Sequence, residues 1–138
     1  MKPARTRLAL ALAALTLATP ALAELVPINE EPYINETLLQ GFIGDQIANT
    51  CPTIEARTMR ALGELNSLRL YALDKGYTSD EIRAFIRSDE EKAKAKAKAA
   101  EWLKDRGAEP GNPDAYCAVG EAEIAADSLL GQLLRSTK

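Results

Sequence analysis

Residues 112–134 constrain the fold of this chain more than any other segment. They open with a helix start signal, because Asn112 can cap a helix, Pro113 suits the first helical position and Asp114 is favoured near the positive end of the helix dipole. At about 100° per residue, the apolar and small side chains that follow divide between two faces. One face carries Cys117, Gly120, Ile124 and Gly131, and the other carries Val119, Ala122, Ala126, Leu129, Leu130 and Leu133. A helix that is apolar on two sides is buried between other helices or lies at a partner interface, so the segment predicts one long C-terminal helix of that kind.

The two glycines of this segment lie three helical turns apart on the same predicted face. Glycine costs roughly 1 kcal/mol relative to alanine inside a helix, so Gly120 and Gly131 indicate that another backbone passes close by. We take both glycines, with Leu129 and Leu133 of the second face, as candidate contacts for a protein partner. Trp102 lies off the main apolar stripe of the preceding helix. It either packs on the last helix, which we favour, or is exposed as a further partner contact.

Residues 1–23 have the features of a secretory signal peptide. Three cations, Lys2, Arg5 and Arg7, precede the apolar run LALALAALTLA, and Ala21 and Ala23 form an Ala-x-Ala cleavage pattern. The alternative, an uncleaved membrane anchor, would need about 20 apolar residues, which is more than this run provides. We therefore expect cleavage after Ala23, export, and a periplasmic protein.

The exported chain would be acidic. Without the three cations of the leader, 14 basic residues stand against 20 acidic ones, a net charge of about −6. Such a protein is a poor candidate for binding nucleic acid or an anionic membrane surface. No later stretch is apolar enough to span a membrane, so we expect residues 24–138 to contain no membrane span.

Cys51 and Cys117 are the only cysteines in the chain. In an exported protein two cysteines indicate one disulfide, here closing a loop of 67 residues. A redox-active pair is the alternative, but reactive pairs usually lie close together in the Cys-x-x-Cys spacing, which is absent here. We therefore predict a structural disulfide.

Taken in order, the remaining chain predicts helices and no strands. Residues 24–32 contain two prolines and predict an extended N-terminal arm, followed by a single helical domain over residues 33–138. Apolar periodicity predicts helices over residues 33–49, over a second segment from Pro52 to about residue 75, and over residues 79–106, before the C-terminal helix. The fold class is therefore all-α, a small bundle of four helices with one disulfide. It becomes five helices if residues 79–106 divide near Asp89, although we favour a single helix there.

Two local signals mark the boundary between the second and third predicted helices. Gly76 supplies a left-handed C-cap, with Tyr77 placed to cover the helix end. Thr78 and Glu81 then match a capping box that opens the next helix. Further along, Glu90 and Lys94 are spaced for a favourable ion pair on a solvated helix face.

The chain lacks the residues on which most catalytic and metal sites depend. It contains no histidine, the commonest general base and metal ligand, and pairing of the cysteines leaves no thiolate. Neighbouring carboxylates such as Glu121 and Glu123 do not face one another on a helix. Asp127 adjoins the apolar faces of the last helix and is a candidate ion-pair partner for Arg57 or Arg69. We therefore predict no catalytic residue, metal or cofactor, and a protein that is not an enzyme.

Three stretches carry a resemblance to a known family: CPTIEAR at residues 51–57, GYTSDEIRAF at 76–85 and YCAVGEAEIAADSLLGQLLR at 116–135. In these the chain resembles an uncharacterised family of small exported alphaproteobacterial proteins, domain of unknown function 5333. The resemblance covers nearly all of residues 24–138 and implies no activity and no catalytic residues. In size, export and its single bridge the chain is also similar to the small helical acid-stress chaperones of the bacterial periplasm, although not in sequence.

These observations favour a non-enzymatic interaction module that binds a protein partner or a second copy of itself. One alternative is a periplasmic chaperone that responds to acid or other stress. Without histidine, an acid switch would act at the pKa of carboxylates, roughly pH 4–5. A second alternative is a carrier that holds a small ligand in a pocket between helices.

Overall fold

The structure is a computed structural model that describes residues 24–138, so the predicted leader, residues 1–23, lies outside the described residues. Within that range a 3₁₀ turn, six helices and two short strands follow one another. They are the turn Ile28–Glu30, α1 Pro32–Thr50, β1 Ile54–Ala56, α2 Thr58–Lys75, α3 Ser79–Arg87, α4 Asp89–Lys104, α5 Pro113–Ala125, α6 Leu129–Gln132 and β2 Leu134–Ser136. The all-α prediction is confirmed, with a two-stranded ribbon added to it. None of the helices in residues 24–138 is both long enough and apolar enough to cross a bilayer.

Helix α1 is the central element of the fold. Its first turn is fixed by Pro32 and by Glu31, whose carboxylate accepts a hydrogen bond from the amide of Ile34 at 2.6 Å. Ile43 and Ile47 in its second half are completely buried among α4, α5, α6 and the strands. The first half packs instead against the C-terminal half of α2 and the start of α3, in a second apolar cluster.

The predicted disulfide is confirmed. Cys51 caps the end of α1 and is bonded to Cys117 in α5, with 5.1 Å between the Cα atoms. The bridge therefore ties α5 to the end of α1.

The second helix begins later than predicted because the chain after the disulfide is extended. Residues 54–56 form β1, which pairs antiparallel with β2, and α2 begins only at Thr58. Ile54 is buried in the same apolar cluster as Ile43 and Ile47, which is the main cluster of the fold. The strand therefore contributes both backbone hydrogen bonds and core packing. A strand of three residues carries too little alternation to be recognised in the sequence, and its partner lies at the other end of the domain.

The prediction of one continuous helix over residues 112–134 was wrong. Helix α5 ends at Ala125, and Asp127 adopts a left-handed backbone conformation with φ of 49°. The hydroxyl of Ser128 then caps α6 by accepting a hydrogen bond from the amide of Gly131 at 3.0 Å. The chain thus folds back on α5, and the two predicted faces do not belong to one helix. Asp127 is exposed and makes no ion pair with Arg57 or Arg69.

Residues 79–106 form two helices, so the single helix that we favoured was also wrong. Ser88 separates them, and its hydroxyl accepts a hydrogen bond from the amide of Glu91 at 3.2 Å, which makes it the N-cap of α4. The predicted capping box at the start of α3 is confirmed, as is the left-handed C-cap of α2 at Gly76, with φ of 112°. Tyr77 is buried, and its hydroxyl donates to the carbonyl of Val26 at 2.7 Å, which fastens the N-terminal arm to this corner.

Candidate functional site

A groove with a volume of about 940 Å³ opens between α1, α2, α3 and α4. Most of its surface is apolar. The apolar side chains that line it are Ile28, Pro32, Ile34, Leu38, Leu39, Phe42, Leu65, Leu68, Ala72, Ile82, Phe85, Ile86 and Ala95. It lies outside the main apolar cluster that surrounds Ile43 and Ile47.

Helix α2 is held to the rest of the fold at its start and in its C-terminal half. At its start, the amide of Arg57 donates to the carbonyl of Leu133 at 2.8 Å, and the guanidinium of Arg60 donates to Gln132 at 2.7 Å. In its C-terminal half, Leu68 and Ala72 are buried in the second apolar cluster, and both also line the groove. The C-terminal half of α2 therefore forms one wall of the groove.

A buried hydrogen-bonded carboxylate holds the C-terminal half of α2 against α1. The hydroxyl of Tyr71 in α2 donates a hydrogen bond to the carboxylate of Glu31 at 2.9 Å. Glu31 is the only charged residue that is buried within residues 24–138. Burial and then the hydrogen bond to Glu31 raise the pKa of Tyr71 above its usual value. Tyr33 stacks on the same ring with 4.6 Å between centroids. This contact sets the separation of α1 and α2 at one end of the groove.

The middle of α2 exposes an unusual amount of apolar surface for an ordered helix. The exposed fractions are 80% for Met59, 53% for Leu62, 48% for Leu65 and 52% for Leu70, and Ile86 of α3 is 53% exposed. Leu65 and Ile86 line the groove, while Met59 and Leu62 extend the apolar surface along α2 beyond it. Single exposed leucines are ordinary, but a run of them beside an apolar groove indicates a surface that binds something.

A smaller cavity of about 250 Å³ lies between α2 and α3 and shares Arg69, Ile82 and Ile86 with the groove. Arg83 and Arg87 of α3 also line this smaller cavity. Arg83 is paired with the exposed Asp80 at 3.3 Å. Along the opposite wall, Lys94 of α4 pairs with Glu90 at 2.8 Å, as the sequence predicted, and this contact lowers the pKa of Glu90.

The predicted partner contacts lie elsewhere, and most of them are buried. Gly120 packs under Ile47 and Ile54, and Gly131 lies directly against the backbone of Glu123. Of the remaining three, Leu133 is buried, Leu129 is half-buried, and Trp102 packs partly buried on the main cluster, with the guanidinium of Arg106 3.4 Å from its ring centre. None of the five lines the groove, so the structure gives no support for them as a partner surface.

DUF5333, described as a family of unknown function, matches residues 26–135. The chain belongs to this family. No curated protein and no solved structure matches it. Membership in DUF5333 therefore brings no site or activity from a characterised relative, and the groove has to be interpreted from its own geometry. In residues 24–138 no group of three or more acidic, histidine or cysteine side chains is placed to hold a metal ion.

Sequence reasoning missed this groove because apolar periodicity in a helix normally indicates a face that packs in the core. Leu62 and Leu65 have that periodicity, yet both are about half exposed. One signal was present in the sequence: Met59 and Leu70 add apolar side chains outside that face, so α2 is apolar over more than one face.

Proposed function

We propose that this DUF5333 protein is a non-enzymatic interaction module of the periplasm whose groove receives an apolar helix of a partner protein. The open groove between α1, α2, α3 and α4, continued by the exposed apolar side chains of α2, is the observation that carries the proposal. Amphipathic helices commonly bind in apolar grooves of this kind, through side chains at i, i+3, i+4 and i+7.

The dimensions of the groove support a helix as the occupant. A helix with its side chains is about 10 Å across, so a volume of about 940 Å³ accommodates roughly two turns. The apolar surface continues past the groove along Leu62 and Met59. A partner helix longer than two turns would contact these side chains, whereas a small ligand within the groove would not.

Three observations support export. The leader predicted over residues 1–23 has a charged start, an apolar run and a cleavage pattern. The Cys51–Cys117 disulfide suits an oxidising compartment. The match to the DUF5333 family model begins at residue 26, just after the predicted cleavage site, so it does not include the leader.

A small-ligand carrier is the second candidate. The groove volume lies within the range of about 300–1,000 Å³ that is typical of small-molecule sites. The exposed leucines outside the groove have no role in this alternative, which is why we rank it second. An acid-activated chaperone is less well supported, because Leu62 and Leu65 are exposed without any protonation step.

Site-specific photocrosslinking tests the proposal. A photoreactive amino acid replaces Leu65, which lines the groove, or Leu70, which is equally exposed on α2 but does not line it. In the native host we expect a discrete adduct from position 65 and none from position 70. Mass spectrometry should place the crosslink on an apolar helical segment of one protein, and Leu65→Glu should abolish co-purification of that protein while Leu70→Glu retains it.

Two results would refute the interaction module. Equal labelling from both positions would mean that the groove is not a specific site. A crosslink only to a metabolite or lipid would support the carrier instead. Sedimentation of the pure protein tests whether a second copy of the chain occupies the groove. A stable dimer that Leu65→Glu dissociates would show that it does.

A further inference from the structure

Helix α2 carries an exposed apolar face next to the groove. Of the eight large apolar side chains that are exposed within residues 24–138, four belong to α2, and no other helix in that range has more than one. Leu65 lines the groove, whereas Leu62, three residues earlier, is exposed outside it. One chain therefore offers both halves of a helix-in-groove contact, namely the groove and an exposed apolar helix.

The part of the groove formed by α1 and α4 leaves room for a helix to approach closely. Gly41 of α1 lines the groove, and a Cβ atom added there would have nothing within 4 Å. Glycine destabilises a helix relative to alanine, and no neighbour within residues 24–138 requires the small size of Gly41. Ala95 of α4 lines the groove as well. These two small residues leave space that an incoming helix can fill.

The available area favours two reciprocal contacts over a single one. Helix α2 has 18 residues, so it is about 27 Å long and about 10 Å wide, and its footprint on a groove is at most roughly 270 Å². One such contact, counted on both surfaces, buries up to about 540 Å², which is well below the 1,000 Å², roughly, that a specific interface exceeds. A two-fold dimer makes the contact twice and buries up to about 1,100 Å², which reaches that size.

The charges in the groove are compatible with a second copy of α2. The charged residues that α1 and α4 contribute to the lining balance one another: Glu36, Asp45 and Glu91 against Lys92, Lys94 and Lys98. Arg69 is the charged residue that α2 contributes. Neither Arg69 nor Asp45 takes part in an ion pair within residues 24–138, so each is available to the other across an interface.

We propose that the groove receives α2 of a second copy of this chain, in a two-fold dimer in which each α2 lies in the groove of the other copy. This inference rests on the proposed function, which makes the groove a site for a helix. Leu62 and Leu65 of one copy then pack beside Gly41 and Ala95 of the other, and Arg69 pairs with Asp45. The same chain is therefore both the receptor and the ligand.

Sedimentation equilibrium on residues 24–138 with the disulfide intact tests this inference. We expect a reversible dimer with a Kd of about 10 µM, because the interface is small. Leu62→Glu changes the docked helix without changing the groove lining, and Gly41→Trp fills the groove without changing the docked helix. Each should weaken the dimer at least tenfold, roughly, because it removes the fit between helix and groove.

Leu70→Glu is the matched control. Leu70 is as exposed as Leu62 and lies on the same helix, but it is turned about 80° away from Leu62 and does not line the groove. This variant should dimerise with a Kd within about twofold of the wild-type value. Circular dichroism confirms that each variant is folded, which we expect because all three substituted residues are exposed.

A crosslink between two differently tagged copies locates the contact. One copy carries Leu62→Cys and the other carries Ala95→Cys, and a short bismaleimide should join them into a heterodimer. The same reagent should give no heterodimer when Leu70→Cys replaces Leu62→Cys. A crosslink between positions 62 and 95 supports docking of α2 in the groove, whereas equal crosslinking from positions 62 and 70 would overturn it.

The remaining outcomes separate this inference from the proposed function. A protein that stays monomeric up to about 200 µM, twentyfold above the expected Kd, would overturn the dimer. A dimer that neither Leu62→Glu nor Gly41→Trp weakens would also overturn it, because another surface would then hold the two copies together. In both cases the proposed function survives if photocrosslinking from position 65 captures a helix of a different protein, and it fails as well if that position gives no adduct.

Discussion

Replacing Gly131 with alanine should destabilise the fold strongly. A Cβ atom at this position would lie 2.5 Å from the carbonyl carbon of Glu123 and 2.8 Å from the amide nitrogen of Ile124, and it would overlap the carbonyl oxygen. Carbon atoms that are not bonded approach to about 3.5 Å, so α6 would have to move away from α5 by roughly 1 Å. The obstacle is backbone in the middle of a tight reversal, which cannot rotate away as a side chain does.

The cost can be estimated from what this movement disrupts. The amide of Ser128 donates to the carbonyl of Glu123 at 3.3 Å, and losing such a hydrogen bond costs about 1 kcal/mol. Leu130 is fully buried beneath α6, and partial loss of its packing adds roughly 1–2 kcal/mol. We therefore expect Gly131→Ala to lower the free energy of unfolding by about 2–3 kcal/mol.

Urea unfolding followed by far-UV circular dichroism measures this change. Gly63→Ala is the matched control, because Gly63 lies in the exposed middle of α2 with nothing within 4 Å of an added Cβ, and it should stabilise the protein by about 0.5–1 kcal/mol. Gly120→Ala should fall between the two, since its nearest obstacles are side-chain atoms of Ile47 and Ile54. If the free energy of unfolding of Gly131→Ala lies within roughly 0.5 kcal/mol of the wild-type value, α6 does not approach α5 as closely as described.

Two further predictions concern the disulfide and the buried carboxylate. Replacing both Cys51 and Cys117 with alanine should lower the free energy of unfolding by about 4 kcal/mol, because the bridge joins residues 66 positions apart in the sequence and restricts the unfolded chain. An unchanged urea midpoint would contradict this. The raised pKa of Tyr71 means that the folded state favours the neutral phenol, so its contribution to stability is present below the usual pKa of 10.0 and is lost as the pH rises through the higher value in the folded protein. The Tyr71→Phe variant should therefore be less stable than the wild type near neutral pH, and it should lose less stability than the wild type at alkaline pH. Urea unfolding at a series of pH values measures both effects. If the two proteins give parallel curves of stability against pH, the contact with Glu31 is not supported.

Local signals in the sequence predicted the structure well where a single stretch of chain decides it. The capping box at Thr78 and the left-handed cap at Gly76 depend on residues within one turn of the chain, and both are present. At Ser88 the same kind of local signal competes with the apolar periodicity on either side of it, and α3 does end there.

The candidate site was harder to predict, because exposure is a property of the assembled molecule. Gly120 and Gly131 correctly indicated close approaches, but the approaching groups are Ile54 and the backbone of Glu123 from the same chain. Leu65 has the sequence context of a core residue, and it faces a groove only because the neighbouring helices stand apart from α2.

The sequence by itself determined the helical class, the helix caps and the disulfide, because periodicity, capping and cysteine chemistry act over short distances or through a unique pair. The tertiary structure alone decided two features: the pairing of Ile54 with Ser136 and the open face of α2. Both depend on groups brought together from distant parts of the chain. Burial and backbone pairing with such groups outweigh local preference, so no segment taken alone could have predicted them.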